Sequence, residues 1–213
     1  SSSVGAPGGE NGNWITPLAM NSAGELFSGY TNLYKLNGAN WQQQNSTSFN
    51  GSSLETIAID PNNDNNMYVA DGSDLYKSTD KGLTFSPIYF APSDITSIDV
   101  HSSNSDIIYL TTSGIDGEAL MSTDGGNSFN SISDGLPSIG KNVIVHQGRN
   151  SDNPLYLGTS LGVYYRDDTM TQWEPFDTNL PNVSVSDLEI NLEDAKIVAA
   201  TLPHQITNNH ENN

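Results

Sequence analysis

The stretch Leu75-Tyr76-Lys77-Ser78-Thr79-Asp80-Lys81-Gly82-Leu83-Thr84-Phe85 returns as Leu120-Met121-Ser122-Thr123-Asp124-Gly125-Gly126-Asn127-Ser128-Phe129. The shared core is Ser-Thr-Asp-x-Gly-x-Thr/Ser-Phe, offset by 44 residues. Self-similarity at such a period is the mark of a repeat architecture. Working outward from it, each unit carries a β-rich run: Leu26–Gly29, Met67–Ala70, Ile108–Thr111, Leu155–Gly158 and Lys196–Ala199. Their starts are 41, 41, 47 and 41 residues apart. A second run follows at Leu33-Tyr34, Leu75-Tyr76, Ala119-Leu120 and Val163-Tyr164.

A further strand precedes each unit's first run. Leu54–Asp60, Ile95–Val100, Asn142–Val145 and Val185–Ile190 alternate apolar with polar or small residues, as half-buried strands do. Polar turns occupy matching slots at Pro61–Asn66 and Ser102–Asp106. The order is strand, turn, strand, turn, strand, Asp-containing turn, strand. No segment sustains the 3.6-residue apolar period of a helical repeat. Four-stranded antiparallel meanders of this size stack radially as propeller blades. The predicted fold class is all-β, a β-propeller with blades near 14–52, 53–92, 93–137 and 138–181 and a half blade at 183–202. Residues 1–13 read as a loop or boundary segment and 203–213 as a tail without strand pattern. About four and a half blades fit a piece of a larger propeller better than a small five-bladed ring, because bare strand edges invite aggregation.

Ser78-Thr79-Asp80-Lys81-Gly82-Leu83-Thr84-Phe85 resembles the Asp-box, Ser-x-Asp-x-Gly-x-Thr-Trp/Phe, of BNR-repeat propellers. These include sialidases, sortilin-type Vps10 domains and family 74 xyloglucanases. Ser122–Phe129 is a second copy, with Ser128 in place of Thr. Degenerate copies lie at Leu36–Trp41 and at Arg166–Trp173, the latter keeping Asp168 and Trp173 without the Gly. The pattern Ile57-Ala58-Ile59-Asp60-Pro61-Asn62 leading to Met67-Tyr68-Val69-Ala70 is similar to the sortilin/xyloglucanase branch, whose modules are common in large secreted bacterial proteins. The resemblance implies that Asp-boxes lie on outer hairpins, away from the central pocket. An Asp in a tight turn accepts backbone N–H bonds, and a Gly permits positive φ. Ser78, Asp80, Gly82, Thr84 and Phe85, with Ser122, Asp124, Gly126, Ser128 and Phe129, are therefore expected to build turns.

Net charge is -18, from 25 acidic and 7 basic residues. Phosphate backbones need a Lys/Arg surface, so nucleic acid is excluded as a partner. No run approaches the length of a membrane span, so no membrane insertion is expected. No signal peptide stands in this chain, and no cysteine is present to form a disulfide or thiolate site.

Catalysis is poorly served by the sequence. A sialidase site grips a carboxylate with three arginines, and this chain has two, Arg149 and Arg166. Glycoside hydrolysis needs a carboxylate pair, but acidic residues are everywhere. Asp60 and Asp99 fall at the ends of what read as matching strands, so no pair is named. His101 and His146 follow strands one blade apart, which brings them to one region near a propeller face. No metal spacing is present. Asp60–Asn66 and Asp71–Asp74 are oxygen-rich turns that would be the calcium candidates, yet they lack the EF-hand order, so no cofactor is assigned. Tyr30, Tyr89, Phe90 and Tyr165 lie near turns and are candidates for stacking on sugar rings. The reading is a secreted or cell-surface, non-catalytic module binding a polysaccharide or protein within a larger polypeptide. The alternative is part of a family 74-like glycoside hydrolase acting on β-glucans such as xyloglucan.

Overall fold

The computed structural model describes residues 5–7, 10, 12–50, 52–176, 182–191 and 196–202. The tail 203–213 lies outside the described residues, as does part of the segment 1–13. The first sheet comprises β1 (Leu18–Met20), β2 (Leu26–Gly29), β3 (Leu33–Asn37) and β4 (Asn40–Gln43). The second holds β5 (Thr56–Ile59), β6 (Met67–Asp71), β7 (Asp74–Ser78) and β8 (Ser86–Phe90). The third holds β9 (Ile95–Val100), β10 (Ile108–Thr112), β11 (Ala119–Ser122) and β12 (Asn130–Ser131). The fourth holds β13 (Lys141–His146), β14 (Leu155–Thr159), β15 (Gly162–Arg166) and β16 (Glu174–Pro175). The pair β17 (Ser184–Asn191) and β18 (Lys196–Leu202) completes the described strands. Every sheet is an antiparallel meander in sequence order, and the whole is all-β, a partial β-propeller.

Burial falls from the second strand outward. β6 and β10 are buried at every residue, whereas β12 and β16 are exposed throughout. Register makes the repeat explicit. Phe27, Tyr68, Tyr109 and Tyr156 occupy one position, paired inward with Ala19, Ala58, Asp99 and Val145. One residue earlier along the outward-running side, Leu18, Ile57, Ile98, Ile144 and Leu188 share another position. Apolar clusters fill the seams between sheets. One gathers Phe27, Leu33, Leu54, Ile57, Met67 and Phe85 from the first two sheets. Another joins Tyr109 and Ile132 to Ile144, Leu157 and Trp173.

The register also corrects one sequence-based alignment. Asp60 N–H donates to Asn66 O just as His101 N–H donates to Ile107 O, so Asp60 matches His101. Asp99, paired with Tyr109, matches Ala58 instead. The offset is two residues, and it arose because both aspartates follow an Ile-containing run. The shift moves the carboxylate along the chain: Asp99 lies within β9, whereas Asp60 follows the end of β5 and bonds the turn residues Asn62 and Asn66.

Candidate functional site

The innermost strands β1, β5, β9, β13 and β17 lie side by side around a cavity of about 800 Å³. A local irregularity shapes its wall. The ladder skips a residue near the start of β9, β13 and β17, leaving Thr96, Asn142 and Ser186 outside the pairing. Glu55 holds the matching place ahead of β5, and all four side chains line the cavity. A bulge of this kind re-aims a side chain that regular alternation would bury or expose elsewhere. Two of them reach sideways to the next inner strand: Thr96 Oγ1 donates to Lys141 O at 3.0 Å and Asn142 Nδ2 to Val185 O at 2.8 Å. Side chains, rather than a backbone ladder, therefore stitch neighbouring inner strands.

Lower on the wall stands Asp99. Its Oδ2 accepts the His146 N–H at 2.6 Å and its Oδ1 accepts the Val100 N–H at 2.9 Å. Burial pushes the Asp99 carboxyl up to about 7, against the pull of those two bonds, and the Glu189 charge adds to the rise. Glu189 occupies the same repeat position as Asp99, opposite Val198. Burial raises Glu189 in turn, with help from Asp187. Glu55 is raised by burial, with Asp71 and Asp94 adding to it. Four carboxylates thus line a cavity to which, among the described residues, no Lys, Arg or His side chain contributes. The sequence signal for Asp99 and Glu189 was available only after alignment of the repeat, where they replace Ala19, Ala58 and Val145.

The Asp-box residues lie elsewhere, on the outer hairpins. Ser78 Oγ accepts the N–H groups of Asp80 and Gly82 at 3.2 and 2.8 Å and donates to Asp80 Oδ1 at 2.7 Å. Asp80 also accepts Thr84 N–H at 2.9 Å and the Thr84 hydroxyl at 2.6 Å. These bonds hold its carboxyl down at about 2. Ser122, Asp124, Gly126 and Ser128 repeat the network, and Asp124 is held at about 2 in the same way. Gly82 has φ of 79° and a Cβ there would stand 2.5 Å from Leu33 Cδ2, so only glycine fits. Phe85 is buried in the seam cluster, and Phe129 packs on Tyr89 at 4.6 Å between centroids. In the degenerate copy, Asp168 accepts the Asn153 amide at 2.6 Å and the buried Trp173 donates Nε1–H to Ile132 O at 2.6 Å.

The four candidate aromatics are not brought together, and none lines the channel. Tyr30 is buried edge-on to Tyr34 at 5.7 Å. Tyr89 is half-buried against Phe129. Tyr165 packs on Tyr156 and Phe176 and donates its hydroxyl to Asp167 at 2.7 Å. Phe90 is 72% exposed. Arg149 sits exposed on a loop, whereas Arg166 donates to Ile132 O, so they form no shared carboxylate grip. His101 and His146 do meet, with rings stacked 4.0 Å apart. Among the described residues, no group of three or more His, Asp or Glu side chains is placed to hold a metal ion. No helix among them is long and apolar enough to cross a membrane.

No family model matches this chain, and no curated protein does. Solved structures do. A GH74 enzyme from Niastella koreensis superposes with a TM-score of 0.70 at 19% identity, over 90% of this chain and 33% of that one. The GH74 xyloglucanase from Xanthomonas campestris gives 0.69 at 15%, over 91% and 34%. An extracellular domain assigned to a one-component system of B. thetaiotaomicron gives 0.67 at 16%, over 94% and 26%. These are likenesses of fold. The chain spans about a third or less of the length of each.

Proposed function

We propose that this chain is a non-catalytic extracellular β-propeller module that binds a glycan or a protein segment within a larger secreted protein. The channel carries the reading. It is concave, of a size usual for ligand sites, and lined by hydrogen-bonding groups from the bulge positions Glu55, Thr96, Asn142 and Ser186. The Asp-box carboxylates, by contrast, are engaged within their own turns. Exposed apolar faces at both ends of the sheet array support membership of a larger assembly. Leu18 and Met20 are 61% and 68% exposed, and Val198 is 59% exposed. The test is binding by glycan array together with pull-down by the intact chain. Loss of a positive signal on Asn142→Ala or Glu189→Gln supports the channel. Failure of both assays in the natural full-length polypeptide overturns the reading.

One observation favours a hydrolase as the second reading. A general acid at neutral pH needs a carboxyl raised toward the working pH, and Asp99 is such a group, with Glu189 as a neighbouring charge. Incubation with xyloglucan and other β-glucans separates the two. Released oligosaccharide that disappears in Asp99→Asn selects the hydrolase; bound but intact polysaccharide selects the module.

A further inference from the structure

The seam between the third and fourth sheets contains two imidazoles that take no part in the channel wall. His101 is 5% exposed and follows β9; His146 ends β13 and is half-buried. Their rings stack at 4.0 Å with 25° between planes, and Tyr109 lies on His146 at 6.0 Å. Both rings are held by backbone donors from the turn after β9. Ser103 N–H donates to His101 Nδ1 at 3.2 Å, and Ser102 N–H donates to His146 Nδ1 at 3.3 Å. An Nδ1 that accepts a bond carries its lone pair there, so each neutral ring has its proton on Nε2. For His101 that proton points to Asn153 Oδ1 at 3.0 Å, and Asn153 Nδ2 donates onward to Asp168. For His146, Nε2 is buried with no partner among the described residues.

Protonation has one consequence that this geometry fixes. A proton added at Nδ1 of His146 would face the Ser102 N–H, donor against donor, and the bond that joins the third sheet's turn to the fourth sheet's inner strand would be lost. The same holds for His101 and Ser103. A second charge would then sit one stacking distance from the first. The surrounding charges do not reverse this. Asn153 and Asp168 favour the charged His146 ring, and burial together with the neighbouring His101 outweighs them. Asp99 reaches His146 through the backbone N–H and not the ring. Tyr109 contributes its ring face.

We propose that the His101–His146 stack is an acid-released latch between the third and fourth sheets, whose opening also frees the Asp99 clamp on the channel wall. The latch is coupled to the channel because His146 joins both: its ring bonds the turn and its backbone N–H bonds Asp99. Burial, then the neighbouring His101, depresses His146 to about 4. A folded value below the unfolded one means that the unfolded chain binds more protons between the two. Stability is therefore lost as pH falls from about 6.5 toward 4. For His146 alone this is about sixtyfold in the folding equilibrium between about pH 7 and pH 4.5.

The experiment compares urea unfolding of the wild type with His146→Asn and with the double change His101→Asn, His146→Asn, across that pH window. Asn retains an acceptor oxygen near the Nδ1 position and cannot be protonated, so both variants should lose most of the acid sensitivity. Differences between proteins, rather than the wild-type slope, isolate the latch, because Asp99 titrates in the same window with opposite sign. Parallel curves for wild type and variants overturn the proposal. A second readout needs no variant: amide hydrogen exchange, corrected for its intrinsic pH dependence, at Ser102, Ser103 and His146. Selective acceleration there at low pH supports the latch, and acceleration uniform across all sheets overturns it. An imidazole NMR titration in which His146 protonates near 6.5 without loss of the Ser102 bond also overturns it.

Discussion

Asp80 and Asp99 are the same side chain in two regions of one molecule, and they are driven in opposite directions. On the outer hairpin, Asp80 accepts bonds from Thr84 and Ser78 in a solvated turn and is held at about 2. On the channel wall, Asp99 also accepts two backbone N–H bonds, yet burial pushes it up to about 7. Hydrogen bonding alone does not set the charge state. Removal from water, with Glu189 adding its charge, wins on the wall and is negligible on the rim. The rim carboxylates stabilise turns, whereas on the wall burial raises Asp99, Glu189 and Glu55.

The largest expected effect that sharpens this comparison is at Asp99. Its folded value is raised, so the folded chain binds more protons between about 4 and 7. Stability from this group is full at low pH and is lost as pH rises through that window, by about 4 kcal/mol at most. Asp99→Asn should flatten the component of stability that declines over that range, measured by urea unfolding at several pH values. An unchanged profile would mean that the wall is as solvated as the rim.

A second test uses apolar residues of one repeat position. Ile144 is 1% exposed, whereas Leu18 is 61% exposed. Ile144→Ala should cost about 2–5 kcal/mol, the range for a buried large-to-small change, and Leu18→Ala within about 0.5. Equal losses would show that the first sheet's face is covered in solution. The smallest effect belongs to the rim. Asp80→Ala removes the acceptor for Thr84 and should lower the melting temperature by a few degrees while any ligand affinity stays intact. Loss of binding with unchanged melting would break the comparison outright.

Much of the fold was legible because the repeat carries its own alignment. The runs at Met67–Ala70 and Ile108–Thr111 fall within β6 and β10, and the Ser-Thr-Asp-x-Gly phrase sits between the third and fourth strands of two sheets. Strand alternation and turn chemistry act within a few residues, so a sequence displays them directly. The channel was not legible in the same way. Thr96, Asn142 and Ser186 line it through skipped ladder residues that no local pattern announces. Tyr30 and Tyr165, near turns in the sequence, are packed against neighbouring rings.

The sequence by itself determined the repeat, its period, the four-strand unit and the turn carboxylates, because each depends on neighbours along the chain. Only the tertiary structure decided which carboxylates share a low-dielectric wall and that His101 and His146 stack across a seam. It also decided that Leu18 is bare where Ile57, Ile98, Ile144 and Leu188 are covered. Burial and charge coupling depend on the sheet next door, and that sheet lies about one full repeat away in the chain.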